Sequence, residues 1–304
     1  MPQTAIPRVL SIAGSDSGGG AGIQADLKAF AACRVHGMTA LTAITAQNTV
    51  GVTAVHAVPP DVIVAQVRAV QEDIGVDAVK VGMLGDLTAI DAVVEALRLL
   101  RPGTPVVLDP VLVAESGAEL LAPSARRGLI DRLMPLAAVT TPNLPEARIL
   151  VREATGQALH EAGPEQLVRA VHSLGPRNVV LTGGHRQQAV DLFFDGHRLA
   201  EIPGPRHPDG AAHGSGCTHS AILAARLGWG DDPLTAARTA RAMAARAVRD
   251  GLRDIGQGSG PVDVLGLSAP EPGGAPAPRP SGPSAPEPGG APAPRGSETG
   301  APAL

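Results

Sequence analysis

Arg8-Val9-Leu10-Ser11-Ile12-Ala13, followed by Gly14-Ser15-Asp16-Ser17-Gly18-Gly19-Gly20-Ala21-Gly22, decides the fold. The first part is a short apolar run with the length and composition of a buried strand. The second is rich in glycine and serine and reads as a loop. Beyond it, from Ile23 to Val35, the apolar residues Ile23, Leu27 and Phe30 recur at helical spacing. Strand, glycine loop and helix in that order are the usual setting of a ligand-binding turn. Gly20-Ala21-Gly22-Ile23-Gln24-Ala25 also matches the dinucleotide fingerprint G-x-G-x-x-A. That fingerprint needs an acid about twenty residues further on to hold a ribose hydroxyl. No Asp or Glu lies between Asp26 and Asp61, so the dehydrogenase reading is weak.

The same alternation runs on along the chain. Strands are expected at Met38–Thr45, Val52–Val58, Ala78–Gly82, Pro105–Asp109, Ala137–Thr140 and Asn178–Thr182. Helices are expected at Asp61–Ile74, at Asp86–Leu100 with Asp86 as its cap, and over most of Leu120–Leu133. Another starts near Pro142-Asn143-Leu144-Pro145-Glu146. Ala189–Phe194 and Arg198–Ile202 read as a hairpin around Asp195-Gly196, and two helices, Cys217–Leu227 and Pro233–Arg249, close the core. This order predicts an α/β fold, a mostly parallel sheet with helices on both faces. Ligands of such folds bind beyond the carboxyl ends of the strands. Gln47, Asp109, Asn143 and Gly183 all fall there, and can share one cleft with Cys217.

Composition narrows the function classes. A net charge of −4 and a pI near 6.1 give no sign of nucleic-acid binding. No apolar run approaches the ~20 residues of a membrane span, and Met1–Pro7 lacks the architecture of a signal peptide. The two cysteines, Cys33 and Cys217, make no disulfide framework and suit no zinc site, which fits a reducing cytoplasm. From about Gly256 the composition changes. Ser268–Arg279 reads SAPEPGGAPAPR and Ser284–Arg295 repeats it. A tail this rich in Pro and Gly cannot build a core and is expected to be extended. The expected division is a domain over residues 1–264 and a tail over 265–304.

The chemistry gathers at His213-Gly214-Ser215-Gly216-Cys217-Thr218-His219-Ser220, a glycine turn opening a buried helix. Unpaired N–H groups at a helix start, with about half a positive charge from the dipole, make an anion site. Glycine lets a phosphate oxygen approach the backbone without meeting a Cβ. Gly214, Ser215 and Gly216 would then cradle a transferring phosphoryl group. Cys217, in the first turn, would take the proton of an attacking hydroxyl, its thiolate favoured by the same field. The plainer alternative is a glycine-capped helix with a buried cysteine. No P-loop sequence G-x-x-x-x-G-K-[ST] occurs.

Six stretches occur in a telling order: Gly14 to Lys28, Thr45-Ala46-Gln47-Asn48-Thr49, Lys80-Val81-Gly82-Met83-Leu84-Gly85, Leu108-Asp109-Pro110-Val111, Thr141 to Glu146, and His213 to Cys217. Together they resemble the hydroxymethylpyrimidine/phosphomethylpyrimidine kinases of thiamine biosynthesis, in the ribokinase-like superfamily. The resemblance spans about Arg8 to Val264. It implies a ribokinase-like three-layer αβα sandwich, ATP as co-substrate, Mg²⁺, and phosphorylation of 4-amino-5-hydroxymethyl-2-methylpyrimidine and of its monophosphate. It is also compatible with a homodimer. Gln47 matches the pyrimidine-reading residue, whose amide can both donate and accept. Gly14, Ala21, Asp26, Met83 and Val111 match positions near the substrate. On sequence alone Met83 and Val111 are equally core residues, and Asp26 equally a solvated helix residue. Asn143 and Glu146 match the family's N-x-x-E motif, linked to Mg²⁺ through water and to phosphate. Asp109, Thr182 and Gly184 fall on the phosphate side. Cys217 stands where sugar kinases of the superfamily carry an aspartate base.

Two positions depart from the family's pattern. Glu115 and Thr182 stand where lysine is common, which removes positive charge from the phosphates. A slower enzyme, a shifted substrate, or compensation by an arginine such as Arg186 are the alternatives. A pyridoxal kinase is the nearest rival enzyme, and a catalytically silent ligand-binding relative is the rival from another class.

Overall fold

Alternation along single strands explains how the chain builds two cores. In β1 (Arg8–Asp16), Val9 and Leu10 face opposite ways, as do Ala78 and Val79 in β4 (Ala78–Val81). Both faces are therefore apolar, the signature of parallel strands covered on each side. The computed structural model describes residues 5–113, 120–156, 162–183 and 190–267.

Among these residues, β2 (His36–Gln47), β1, β4, β5 (Val106–Leu108), β6 (Val139–Thr140) and β7 (Val179–Leu181) lie side by side and parallel. Antiparallel strands close both edges. β3 (Val52–Ala57) pairs with β2, while β8 (Val190–Phe194) and β9 (Leu199–Pro203) form the expected hairpin beside β7.

One face is covered by α1 (Gly22–Ala32), α7 (Ser215–Gly228) and α8 (Pro233–Arg249). Its core is Phe30 and a dense set of alanines, with Ala221, Ala224 and Ala225 of α7 fully buried. Small side chains let α7 approach the sheet closely, which brings its N-terminus to the strand ends. The other face carries α2 (Pro60–Asp73), α3 (Leu87–Leu97), α4 (Pro123–Gly128), α5 (Leu144–Thr155) and α6 (Pro164–His172). Asp86 caps α3 as expected, its carboxylate accepting the Ala89 N–H at 2.9 Å.

Three elements differ from the sequence reading. β1 continues past Ala13 to Asp16, because Ser15 and Asp16 pair with Ile44 and Thr45 of β2 across a register shift. The expected helix over Leu120–Leu133 is α-helical only at Pro123–Gly128. It continues as a π turn over Leu129–Leu133 and a 3₁₀ turn over Met134–Leu136, where Pro135 has no N–H to extend an α-helix. Helix α6 was not anticipated, although Pro164 at its start and Leu167, Val168 and Val171 on its buried side are ordinary helix signals. Glu115, Gly184, His185 and Arg186 lie outside the described residues, as does the tail from Ser268 onward.

Candidate active site

The parallel strands end together, and most of the residues singled out above sit at or just beyond those ends. Asp16 and Gln47 close β1 and β2; Met83, Asp109, Asn143 and Thr182 follow β4, β5, β6 and β7. Cross-contacts join several of these ends in pairs. Asn143 bridges Thr182, and the Ser220 hydroxyl of α7 donates to Asp109 Oδ2 at 2.9 Å. A Cβ on Gly14 would stand 3.0 Å from Met83 Sδ.

The turn before α7 meets the first glycine loop backbone to backbone. Gly214 has φ +80°, and a Cβ there would lie 1.8 Å from the Gly20 carbonyl oxygen. Gly216 is different: a Cβ on it would meet nothing within 4 Å. Ser215 N–H is already spent on the Ala212 carbonyl at 2.9 Å. Among the described residues the N–H groups of Gly214, Gly216 and Cys217 have no acceptor, so they are the ones open to an anion, whereas Ser215 could offer only its hydroxyl.

Cys217 reverses one expectation. The helix N-terminus is expected to favour its thiolate, but desolvation dominates and pushes the thiol up to about 12, although Cys217 as a residue is only half-buried. Lys80 pulls it down, Asp26 and Asp109 push it up, and a Gly22 N–H bond pulls it down again. The dipole acts over one turn, whereas desolvation reflects everything packed around the sulfur.

Lys80 and Asp26 form an ion pair with both side chains at 0% exposure, Nζ to Oδ2 3.0 Å. The Ser11 hydroxyl donates to the same Asp26 oxygen at 2.6 Å. Asp26 is therefore not a solvated helix residue. Burial alone would lower the Lys80 pKa, but Asp26, Cys217 and Asp109 raise it above that of an ordinary lysine, so the ammonium persists.

At the end of β2, Thr45 Oγ1 lies 3.1 Å from Gln47 Oε1, and Gln47 Nε2 has no partner among the described residues. The Ser17 hydroxyl donates to the Gln47 carbonyl at 2.7 Å and accepts its N–H at 2.9 Å. Ala21 caps α1 with its N–H on Asp16 Oδ2 at 2.8 Å. Val111, half-buried, donates its N–H to the Asp109 carbonyl at 2.8 Å.

Asn143 and Glu146 form a reciprocal capping box at the start of α5, each side chain on the other's N–H at 2.9 Å. The helix-start alternative is thus realised, yet the acid keeps a second property. Burial and then the facing Asp109 push the Glu146 carboxyl up to about 8, against N–H bonds from Asn143 and Leu112 that lower it. Two carboxyls facing each other in a poorly solvated site suit a divalent cation. No cluster of three or more His, Cys, Asp or Glu is present among the described residues, so water and phosphate oxygens would complete such a cation's shell.

Sequence reasoning gave no role to Lys80, Asp16, His213 or Asp191. Lys80 had a signal, a lone charge in the apolar run Ala78-Val79-Lys80-Val81. Asp191 is buried at the start of β8, where its Oδ1 accepts the Gly183 N–H at 2.7 Å. Its Oδ2 lies 3.7 Å from both His219 Nε2 and Arg241 Nε.

Residues 16–263 match the sequence model of a family described as phosphomethylpyrimidine kinase. A hydroxymethylpyrimidine/phosphomethylpyrimidine kinase of Rhizobium meliloti is 48% identical over 265 residues, covering 86% of this chain and 97% of that protein. A thiamine biosynthesis bifunctional protein of Geobacter sulfurreducens is 44% identical over 263 residues, 84% of this chain and 52% of that protein. Among solved structures, the pyridoxal kinase from Staphylococcus aureus in complex with AMP-PCP and pyridoxal has a TM-score of 0.75 at 32% identity. It covers 86% of this chain and 94% of that one.

Proposed function

The chain belongs to the phosphomethylpyrimidine kinase family of ribokinase-like α/β kinases, and from that premise we propose how it works. It transfers the terminal phosphoryl group of ATP to the hydroxymethyl oxygen of 4-amino-5-hydroxymethyl-2-methylpyrimidine, then to the phosphate of the monophosphate, in thiamine biosynthesis. One observation carries the reading. The start of α7 is packed against the Gly20–Gly22 loop, and a Gly22 N–H bonds the Cys217 sulfur, which supports reading the thiol as the group between the phosphoryl cradle and the pyrimidine.

In this reading the N–H groups of Gly214, Gly216 and Cys217 stabilise the transferring phosphoryl group. Phosphoryl transfer of this kind needs positioning and charge stabilisation more than covalent help. The thiolate form of Cys217, reached by loss of the thiol proton to solvent and favoured by Lys80 against burial, receives the hydroxyl proton. Gln47 reads the ring nitrogen and exocyclic amine, with Gly14, Ala21, Met83 and Val111 shaping the surrounding wall. Asp26, fully buried, acts from beneath as the counter-ion of Lys80. Thr182, just beyond β7, flanks the ATP phosphates, a role the resemblance also implies for Gly184.

Glu146 through water, with Asp109, would hold Mg²⁺, which neutralises phosphate charge when bound. The kinase domain is residues 1–264, the tail 265–304 is passive, and the enzyme works in the cytoplasm. A homodimer would use the edge formed by β2 and β3, where Ile44 and Val55 are about half exposed.

Pyridoxal phosphorylation is the second reading, supported by the likeness to the Staphylococcus aureus enzyme. The higher identity to the pyrimidine kinase and the Ala46-Gln47-Asn48-Thr49 setting favour the pyrimidine. ADP release with each substrate, in wild type and Cys217→Ala, tests the assignment.

A further inference from the structure

Asp16 joins two loops that are far apart in sequence. Its Oδ1 accepts the Gly18 N–H at 2.8 Å. Its Oδ2 accepts Gly20 N–H at 3.0 Å and Ala21 N–H at 2.8 Å. The same oxygen lies 3.1 Å from Nε2 of His213, the residue directly before the cradle. Burial pushes the Asp16 carboxyl up, but the His213 ring and the N–H groups of Ala21 and Gly18 outweigh it and hold it below the ordinary range. Asp16 is thus ionised and can only accept, which makes His213 Nε2 the protonated nitrogen.

The contact leaves no slack. A Cβ on Gly20 would stand 2.1 Å from His213 Cδ2, and one on Gly214 would strike the Gly20 carbonyl. The first loop is also fixed to the pyrimidine side, through Ser17 on the Gln47 backbone. The His213 backbone has its own anchor: its N–H bonds the Gly260 carbonyl at 3.2 Å and its carbonyl accepts the Val262 N–H at 3.1 Å. The chain is thus anchored there through its backbone as well as through the ring.

We propose that Asp16 and His213 are a positioning pair that locks the pyrimidine-side loop to the phosphoryl cradle, so that the pair sets turnover and not the binding of either substrate. This rests on the reading of Gly214–Cys217 as the site of transfer. Attacking oxygen and phosphoryl group are held by different loops, and a small misalignment between them slows the step by orders of magnitude. Neither Asp16 nor His213 touches a reacting atom in this scheme.

The test compares Asp16→Asn, His213→Asn and His213→Gln with wild type and Cys217→Ala. It uses steady-state kinetics with hydroxymethylpyrimidine and ATP, direct binding of each substrate, and thermal melts. Glutamine can place an amide N–H where Nε2 stands, whereas asparagine falls short of it. His213→Asn and Asp16→Asn are expected to lose roughly 30-fold or more in kcat, a misplacement effect, with both KM values within about threefold of wild type. His213→Gln is expected to recover most of kcat, and Asp16→Asn combined with His213→Asn to lose no more than the worse single. Should Asp16→Asn fail to fold, the asparagine–glutamine contrast at His213 still decides. Unchanged kcat in His213→Asn, a loss seen in KM alone, or equal damage in both His213 variants overturns the pair. An active Cys217→Ala would count against the proton-transfer role of the thiol, while the His213 contrast would still decide for or against the pair.

Discussion

Lys80 and Asp26, which are 54 residues apart, meet at 3.0 Å with both side chains fully withdrawn from solvent. The pair acts electrostatically on Cys217 in opposite senses, Lys80 lowering and Asp26 raising its pKa. It turns an otherwise apolar strand into part of the site.

Removing one partner strands the other. Lys80→Met leaves a buried carboxylate unpaired and should cost about 3–5 kcal/mol in urea unfolding. Lys80→Met with Asp26→Asn should regain much of that stability while activity stays low, because the cation that opposes the burial of Cys217 is gone. A stability loss in Lys80→Met under ~1 kcal/mol would show that the pair is not desolvated as described.

Cys217 should be a poor nucleophile when the protein is native. With the thiol pushed up to about 12, and Cys33 up to about 11 by burial, neither cysteine should react readily with iodoacetamide at neutral pH. Labelling of Cys217 should accelerate about tenfold per pH unit toward alkaline pH, following its thiolate fraction. If it is the proton acceptor, kcat should climb over the same range. Rapid labelling of Cys217 near pH 7 would mean that the helix dipole outweighs burial after all.

Glu146 gives stability a pH dependence that a divalent cation should modify. Its carboxyl holds a proton more tightly folded, at about 8, than at its ordinary value of 4.5. Without a cation its contribution is therefore full below about pH 4.5 and is lost as pH rises toward about 8. Thermal melts of the chelator-treated protein should show Tm falling across this window, with a flatter profile in Glu146→Gln. Adding Mg²⁺ at pH 8 should raise Tm in wild type more than in the variant. Equal Mg²⁺ responses would remove Glu146 from the cation site.

The layer order was legible because it is written locally. Buried parallel strands appear as apolar runs, Asp86 announces a helix start, and Asp195-Gly196 announces a hairpin. The placing of Gln47, Asp109 and Asn143 at or just beyond the ends of parallel strands followed from one rule about such sheets. What stayed hidden depends on long-range packing. Asp16 and His213 are 197 residues apart, and no spacing marks them as partners. The thiol of Cys217 went the wrong way because the dipole of one turn is visible in sequence and the desolvation of a folded interior is not. Asp26 could not be told from a surface residue until Lys80 lay against it.

The most direct measurement is ADP release with hydroxymethylpyrimidine, its monophosphate and pyridoxal, for wild type and Cys217→Ala. Turnover of both pyrimidines is expected, with a severe loss in the variant, on the order of 10²-fold or more for a lost proton acceptor. Turnover with pyridoxal alone, or no turnover with any of the three, would contradict the assignment. Full activity in Cys217→Ala would contradict the role given to the thiol.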